Sequence, residues 1–166
     1  GDAVLLGTAE ALSKASGSLT RSVLFILFGA EEQGVKGSEY YVAHPSVPNA
    51  NVKAFINLES IGRGEKISVG SGENYPQLWN VVHRNNAKYL HRTMTSSYNA
   101  NIARPRQDAA HFLWANIPTI GIGTYDAKPV PVATYHTTQD KVEYITPEIL
   151  EDIARLMFLS VVDMAR

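Results

Sequence analysis

Helical and extended hydrophobic patterns alternate along this chain. Val4, Leu5, Thr8, Ala9 and Leu12 form a helical stripe within residues 3–15, and the stripe stops near Gly17. Residues 22–28 contain the unbroken run Val23-Leu24-Phe25-Ile26-Leu27-Phe28, which predicts a strand buried on both faces. A short helix is expected over 37–44, closed by His44-Pro45. Ala54-Phe55-Ile56-Asn57-Leu58 predicts a second buried strand ending at Glu59, and Lys66–Gly70 a short strand between glycine turns. Tyr75–Lys88 reads as a helix that tolerates Pro76 in its first turn. Residues 90–107 lack periodicity and predict a long loop with one strand near 91–96.

Asp108–Asn116 predicts a short helix and Ile117–Gly123 a third buried strand, followed by a proline-containing loop to Asp140. The last helix starts at Thr146-Pro147, with Ile149, Leu150, Ile153, Leu156, Met157 and Val161 on one face. Helices between buried strands predict an α/β fold, a three-layer sandwich whose central, largely parallel (mixed) sheet is flanked by helices. Ligands in such sheets gather at the carboxyl ends of the strands. Glu31-Glu32, Glu59 and the loop after Gly123 all fall there.

Composition narrows the function. With 166 residues, 45% hydrophobic and 19% charged, the chain predicts one globular domain over 1–166. A net charge of −1 without a Lys/Arg cluster excludes nucleic acid and acidic membranes as partners. No apolar run approaches the roughly 20 residues of a membrane span, and no signal-peptide pattern precedes the first helix. Without cysteine there is no disulfide, thiolate metal site or cysteine nucleophile. The start, Gly-Asp-Ala-Val-Leu-Leu, lies inside a helical pattern and predicts a mature form, a processed product or an excised piece. Compartment and oligomeric state stay open.

The candidate chemistry is acidic. Glu31 and Glu32 sit between a buried-strand pattern and a glycine-rich bend, and such carboxylates are seldom buried unless paired or bound to a metal. Neighbouring residues at an extended strand end point to opposite sides, so one can face a metal and the other a water or substrate. The alternative is two solvated glutamates opening a helix, favoured there by the dipole. His136 lies in the loop motif Tyr-His-Thr-Thr-Gln-Asp, where a lone histidine is commonly solvated. Asp140 is either its hydrogen-bonding partner or a turn residue. Carboxylates plus imidazole suit zinc, manganese or cobalt.

Phe-Gly-Ala-Glu-Glu-Gln-Gly-Val-Lys-Gly-Ser, Ile-Asn-Leu-Glu-Ser-Ile-Gly and Tyr-His-Thr-Thr-Gln-Asp, in this order and spacing, resemble the M28 family of zinc-dependent aminopeptidases and carboxypeptidases. Gln107-Asp108, Phe112 and Ile117-Pro118 extend the resemblance over nearly the whole chain. The resemblance implies a zinc-exopeptidase-like fold, a peptide substrate and two zinc ions. Glu31 would be the general base, Glu32 and His136 ligands of one zinc, and Glu59 a ligand of the second, where most members carry aspartate. Asp108 would be a supporting acid or a helix N-cap, and Tyr98 a pocket or oxyanion residue or a surface tyrosine.

The family's first histidine ligand and bridging aspartate would lie upstream of Gly1. The expected chain is therefore an N-terminally truncated catalytic domain with partial or no zinc occupancy and weak activity. The resemblance favours a secreted, periplasmic or lumenal location. Two alternatives stand beside the exopeptidase: an inactive fragment or receptor-like interaction domain, and a single-zinc glutaminyl cyclase-like enzyme. His44, His83, His91 and His111 show no i, i+4 zinc pairing, and no serine elbow or phosphate loop is present.

Overall fold

The elements follow from local sequence. Helix α1, Asp2–Lys14, carries Asp2 in its first turn and Lys14 in its last, and it buries Val4, Thr8 and Leu12. The computed structural model describes residues 1–15, 17, 19–98, 107–126 and 136–166. Helix α2 spans Lys36–Ala43, and strands β1 and β2 span Phe55–Leu58 and Lys66–Gly70. Helix α3, Pro76–Asn85, opens on a proline whose missing amide costs no intrahelical bond, and it widens into a π-type turn at Asn86–Leu90. Strand β3 is Met94–Ser96, α4 is Ala109–Trp114, β4 is Thr119–Tyr125 and α5 is Pro147–Ala165.

The four strands run in the order β1-β4-β2-β3. β4 pairs parallel with β1, from Phe55 opposite Thr119 to Leu58 opposite Ile122. It pairs antiparallel with β2, and β2 pairs parallel with β3. The sheet is mixed, with helices on both faces.

One face packs on α1, α3 and α5 through Ile67, Val69, Ile120 and Ile122, which meet Val4, Val82, Ile153 and Leu156. Complete burial of such a side chain stabilises by about 1.5–3 kcal/mol. Strand alternation sends Phe55 to the other face, where its ring stacks on Phe112 of α4 with centroids 3.7 Å apart. Phe28 and Tyr41 complete this aromatic cluster, at 5.9 Å and 6.0 Å from the Phe112 ring.

The run 22–28 departs from expectation. It is not a strand of the sheet, and Leu24, Phe25 and Leu27 are exposed. Apolar composition favours an extended, burial-seeking segment, but burial on both faces needs a ladder partner and covering layers. Among the described residues nothing supplies that ladder.

Candidate active site

The Glu31-Glu32 bend is a tightly bonded turn. Ala30 and Val35 adopt positive φ, 58° and 61°, as does Gly34 at 93°. The amides of Gly34 and Val35 donate to the Glu31 carbonyl at 3.0 and 2.8 Å, and that of Lys36 donates to the Ala30 carbonyl at 3.2 Å. Gly37 must be glycine because a Cβ there would lie 2.3 Å from the Gly29 carbonyl oxygen. The glycine spacing of the motif thus shapes the platform that presents two carboxylates. A β-branched residue in the left-handed region is a genuine outlier, and such strain gathers at functional sites.

Glu59 follows β1, and Ser60 after it also has positive φ, 53°. Asn57 Nδ2, two residues back on the same face of the strand, donates to Glu59 Oε2 at 3.1 Å. Desolvation, reinforced by the charge of Glu31, pushes the half-buried Glu59 carboxyl up to about 7, against the lowering bond from Asn57. Partial desolvation also raises Glu31, with Glu32 and Asp108 adding to the rise and His136 opposing it. Glu31, Glu32, Glu59 and Asp108 therefore stand in mutual electrostatic range.

Asp108 begins α4, but its side chain makes no capping hydrogen bond. Its Oδ1 is buried and has no hydrogen-bond partner among the described residues. The helix-cap reading of Asp108 thus lacks its hydrogen bond, and the charge of Asp108 acts on Glu31 and Glu59. A gathering of carboxylates with an orphaned buried oxygen is an electrostatic environment that a cation would relieve.

His136, itself at φ 58°, brings Nε2 to 3.0 Å from Glu32 Oε1. Two ligands of a tetrahedral zinc, each about 2.0–2.1 Å from the ion, stand about 3.3 Å apart. The pair therefore matches zinc in donor type and near-matches it in spacing. Among the described residues no third donor joins it into a three-residue cluster.

Asp140 is exposed, and its amide closes a turn onto the Thr137 carbonyl at 3.1 Å. Tyr98 is 61% exposed. Residues 99–106 of the predicted loop 90–107, and residues 127–135 of the loop running to Asp140, lie outside the described residues.

The sequence reading overlooked Asn57. The available signal was the i, i+2 spacing of an amide and a carboxylate on a strand, which puts both on one side. It also overlooked the aromatic cluster of Phe28, Tyr41, Phe55 and Phe112 beneath the acidic bend.

Comparison with known proteins gives the fold and the family. Aminopeptidase YwaD of Bacillus subtilis is 26% identical over the full length of the chain, which spans 36% of that protein. The crystal structure of BSAP, a zinc aminopeptidase from Bacillus subtilis, superposes with TM-score 0.78 at 24% identity, covering 98% of this chain and 40% of that one. Porphyromonas gingivalis glutaminyl cyclase shares the fold at TM-score 0.65 and 19% identity, covering 84% of this chain and 50% of that one. The chain thus spans about two fifths of the aminopeptidases it matches. A family model described as peptidase family M28 matches residues 1–161, and the chain belongs to that family.

Proposed function

We propose that these residues carry the chemistry of a metal-dependent exopeptidase that removes terminal residues from peptides. The observation that carries the reading is the 3.0 Å contact of His136 Nε2 with Glu32 Oε1, made between two loops far apart in sequence. Glu32 and His136 would hold one zinc and Glu59 the second. When bound, zinc supplies Lewis acidity for the scissile carbonyl and lowers the pKa of water to about 7. Glu31 would be the general base: its raised carboxylate is a better proton acceptor than an ordinary glutamate, and it lies within electrostatic range of the Glu32–His136 pair. It takes the proton of the attacking water and returns it to the leaving amine. Asn57 orients Glu59 through their 3.1 Å bond.

The test is Glu31→Gln in the encoded polypeptide, assayed on amino-acid p-nitroanilides with zinc content followed by elemental analysis. Turnover should fall by about 10²–10⁴-fold with zinc retained. Near-normal turnover would overturn the assignment.

The shared fold of a glutaminyl cyclase supports a second reading, cyclisation of N-terminal glutamine at a single zinc. Activity on glutaminyl peptides with none on p-nitroanilides would select it. Absence of both activities and of zinc from the encoded polypeptide would select the non-catalytic interaction domain.

A further inference from the structure

Beyond Glu59 the chain folds back on itself within five residues. Ser60, Gly62 and Gly64 all take positive φ, at 53°, 132° and 84°. Serine is uncommon in the left-handed region, and it persists there only when the surrounding structure over-determines it. Gly64 permits a close pass, because a Cβ on it would strike the carbonyl of Tyr125. Thr124, next to last in β4, supplies the restraint. Its amide donates to the Ser60 carbonyl at 3.2 Å. Its hydroxyl donates to that same carbonyl at 3.3 Å and accepts from the Gly62 amide at 3.2 Å. The Glu59 amide donates to the carbonyl of Ile122, two residues before Thr124, at 3.0 Å. One hydroxyl thus spans the turn that begins at Glu59.

The same turn receives the segment that carries His136. The Thr146 amide donates to the Gly62 carbonyl at 2.7 Å. Arg63 lies over the Tyr144 ring, 5.7 Å from its centroid, and pairs with Asp126 at 3.2 Å. Between His136 and Thr146 the backbone is a succession of short turns, with the amides of Asp140, Tyr144 and Ile145 donating to Thr137, Lys141 and Val142. Such turns leave little slack, so the place of Gly62 limits the place of His136. The Gly62 residue is held at both ends, its amide by Thr124 and its carbonyl by Thr146. This relay joins the strand end bearing Glu59 to the loop bearing His136.

We propose that Thr124 is a positioning residue of the metal centre: its hydroxyl fixes the 60–64 turn, and the turn holds Glu59 and the His136 segment in one arrangement. The inference rests on the reading of Glu59 and His136 as zinc ligands. Ligands that are already in place lose less freedom when a cation binds. Groups that orient metal ligands typically set affinity by about 10–100-fold. Thr124 acts on the backbone beside Glu59, which puts its effect at the low end of that range.

Thr124→Val keeps the side-chain shape and the backbone bond to Ser60 but removes the hydroxyl, and Thr124→Ser retains it. Zinc affinity of the encoded polypeptide is measured by competition with a chromogenic chelator, for the unsubstituted protein, both variants and Glu59→Gln. Thr124→Val should bind the ion that Glu59→Gln loses about tenfold more weakly, and Thr124→Ser should stay within about twofold of the unsubstituted protein. Unchanged affinity in Thr124→Val, with that ion lost in Glu59→Gln, would overturn the positioning role alone. A loss that Thr124→Ser fails to rescue would overturn it too, by assigning the effect to packing. Unchanged zinc binding in Glu59→Gln would overturn the ligand assignment beneath it.

Linkage gives a readout that needs no variant, since a turn that favours zinc binding must itself be favoured by zinc. Amide hydrogen exchange at Gly62 and Thr146 should slow about tenfold on zinc loading, by the same coupling. Exchange at Val52, before the other end of β1 and bonded to the Asn49 carbonyl at 3.1 Å, should slow less. Equal slowing at all three amides, or none at Gly62, would overturn the proposal by separating the turn from the metal.

Discussion

Two stretches that predict buried strands, residues 23–28 and 117–123, are opposite in fate, although the first is the more continuously apolar. In β4, Ile120 and Ile122 are 0% and 1% exposed, held by ladders to β1 and β2 and covered by α1, α3 and α5. In the other, Leu24, Phe25 and Leu27 face solvent beside amides without a backbone partner among the described residues. The hydrophobic effect is non-directional and asks only for cover, whereas a backbone amide asks for a partner at a fixed distance. Apolar sequence alone therefore fails to bury a strand; a neighbouring edge must be present first.

This contrast can be broken or sharpened by substitution. Leu156→Ala, in the completed core of α5 at 0% exposure, should cost about 2–5 kcal/mol in urea denaturation of residues 1–166. A cost under about 1 kcal/mol would mean that this face is as loosely packed as the open one.

Glu59 sits where the two regions meet, and its effect should be intermediate. A carboxyl raised from 4.5 to about 7 binds its proton more tightly in the folded than in the unfolded state. Its stabilisation is full below pH 4.5 and is lost as pH rises through 7, an effect on the order of 1–2 kcal/mol after solvent screening. In EDTA, thermal denaturation should thus show stability declining over this window, and Glu59→Gln should flatten the decline. An unchanged pH profile in the variant would remove Glu59 as its source.

The smallest effect is expected at Leu27→Ser in residues 1–166, within about 0.5 kcal/mol in urea, because the side chain is already wet. A loss comparable with that of Leu156→Ala would show that the run is covered in solution and would erase the contrast.

Much of the fold was legible because it is local. The short strand Lys66–Gly70 appears with the bounds its glycine turns predict, and α5 buries Ile149, Ile153, Leu156 and Met157 along the expected stripe. Helix α3 stops at Asn85, short of its predicted end, where the π-type turn takes over. The antiparallel pairing of β2 with β4 was not legible, since strand direction depends on where a loop returns and not on the period of the strand. The mixed character of the sheet was expected; its strand order was not.

The acidic bend was legible by residue type and spacing, and Gly37 finds its reason in the close pass of the Gly29 carbonyl. By itself the sequence determined which segments are helical or extended and which side chains have the donor chemistry for a cation, because these depend on neighbours a few residues apart. Only the tertiary structure decided that His136 reaches Glu32, that Asp108 makes no capping bond to its helix, and that 22–28 has no backbone partner among the described residues. Each of those outcomes depends on atoms distant along the chain, and on partners whose presence no local pattern encodes.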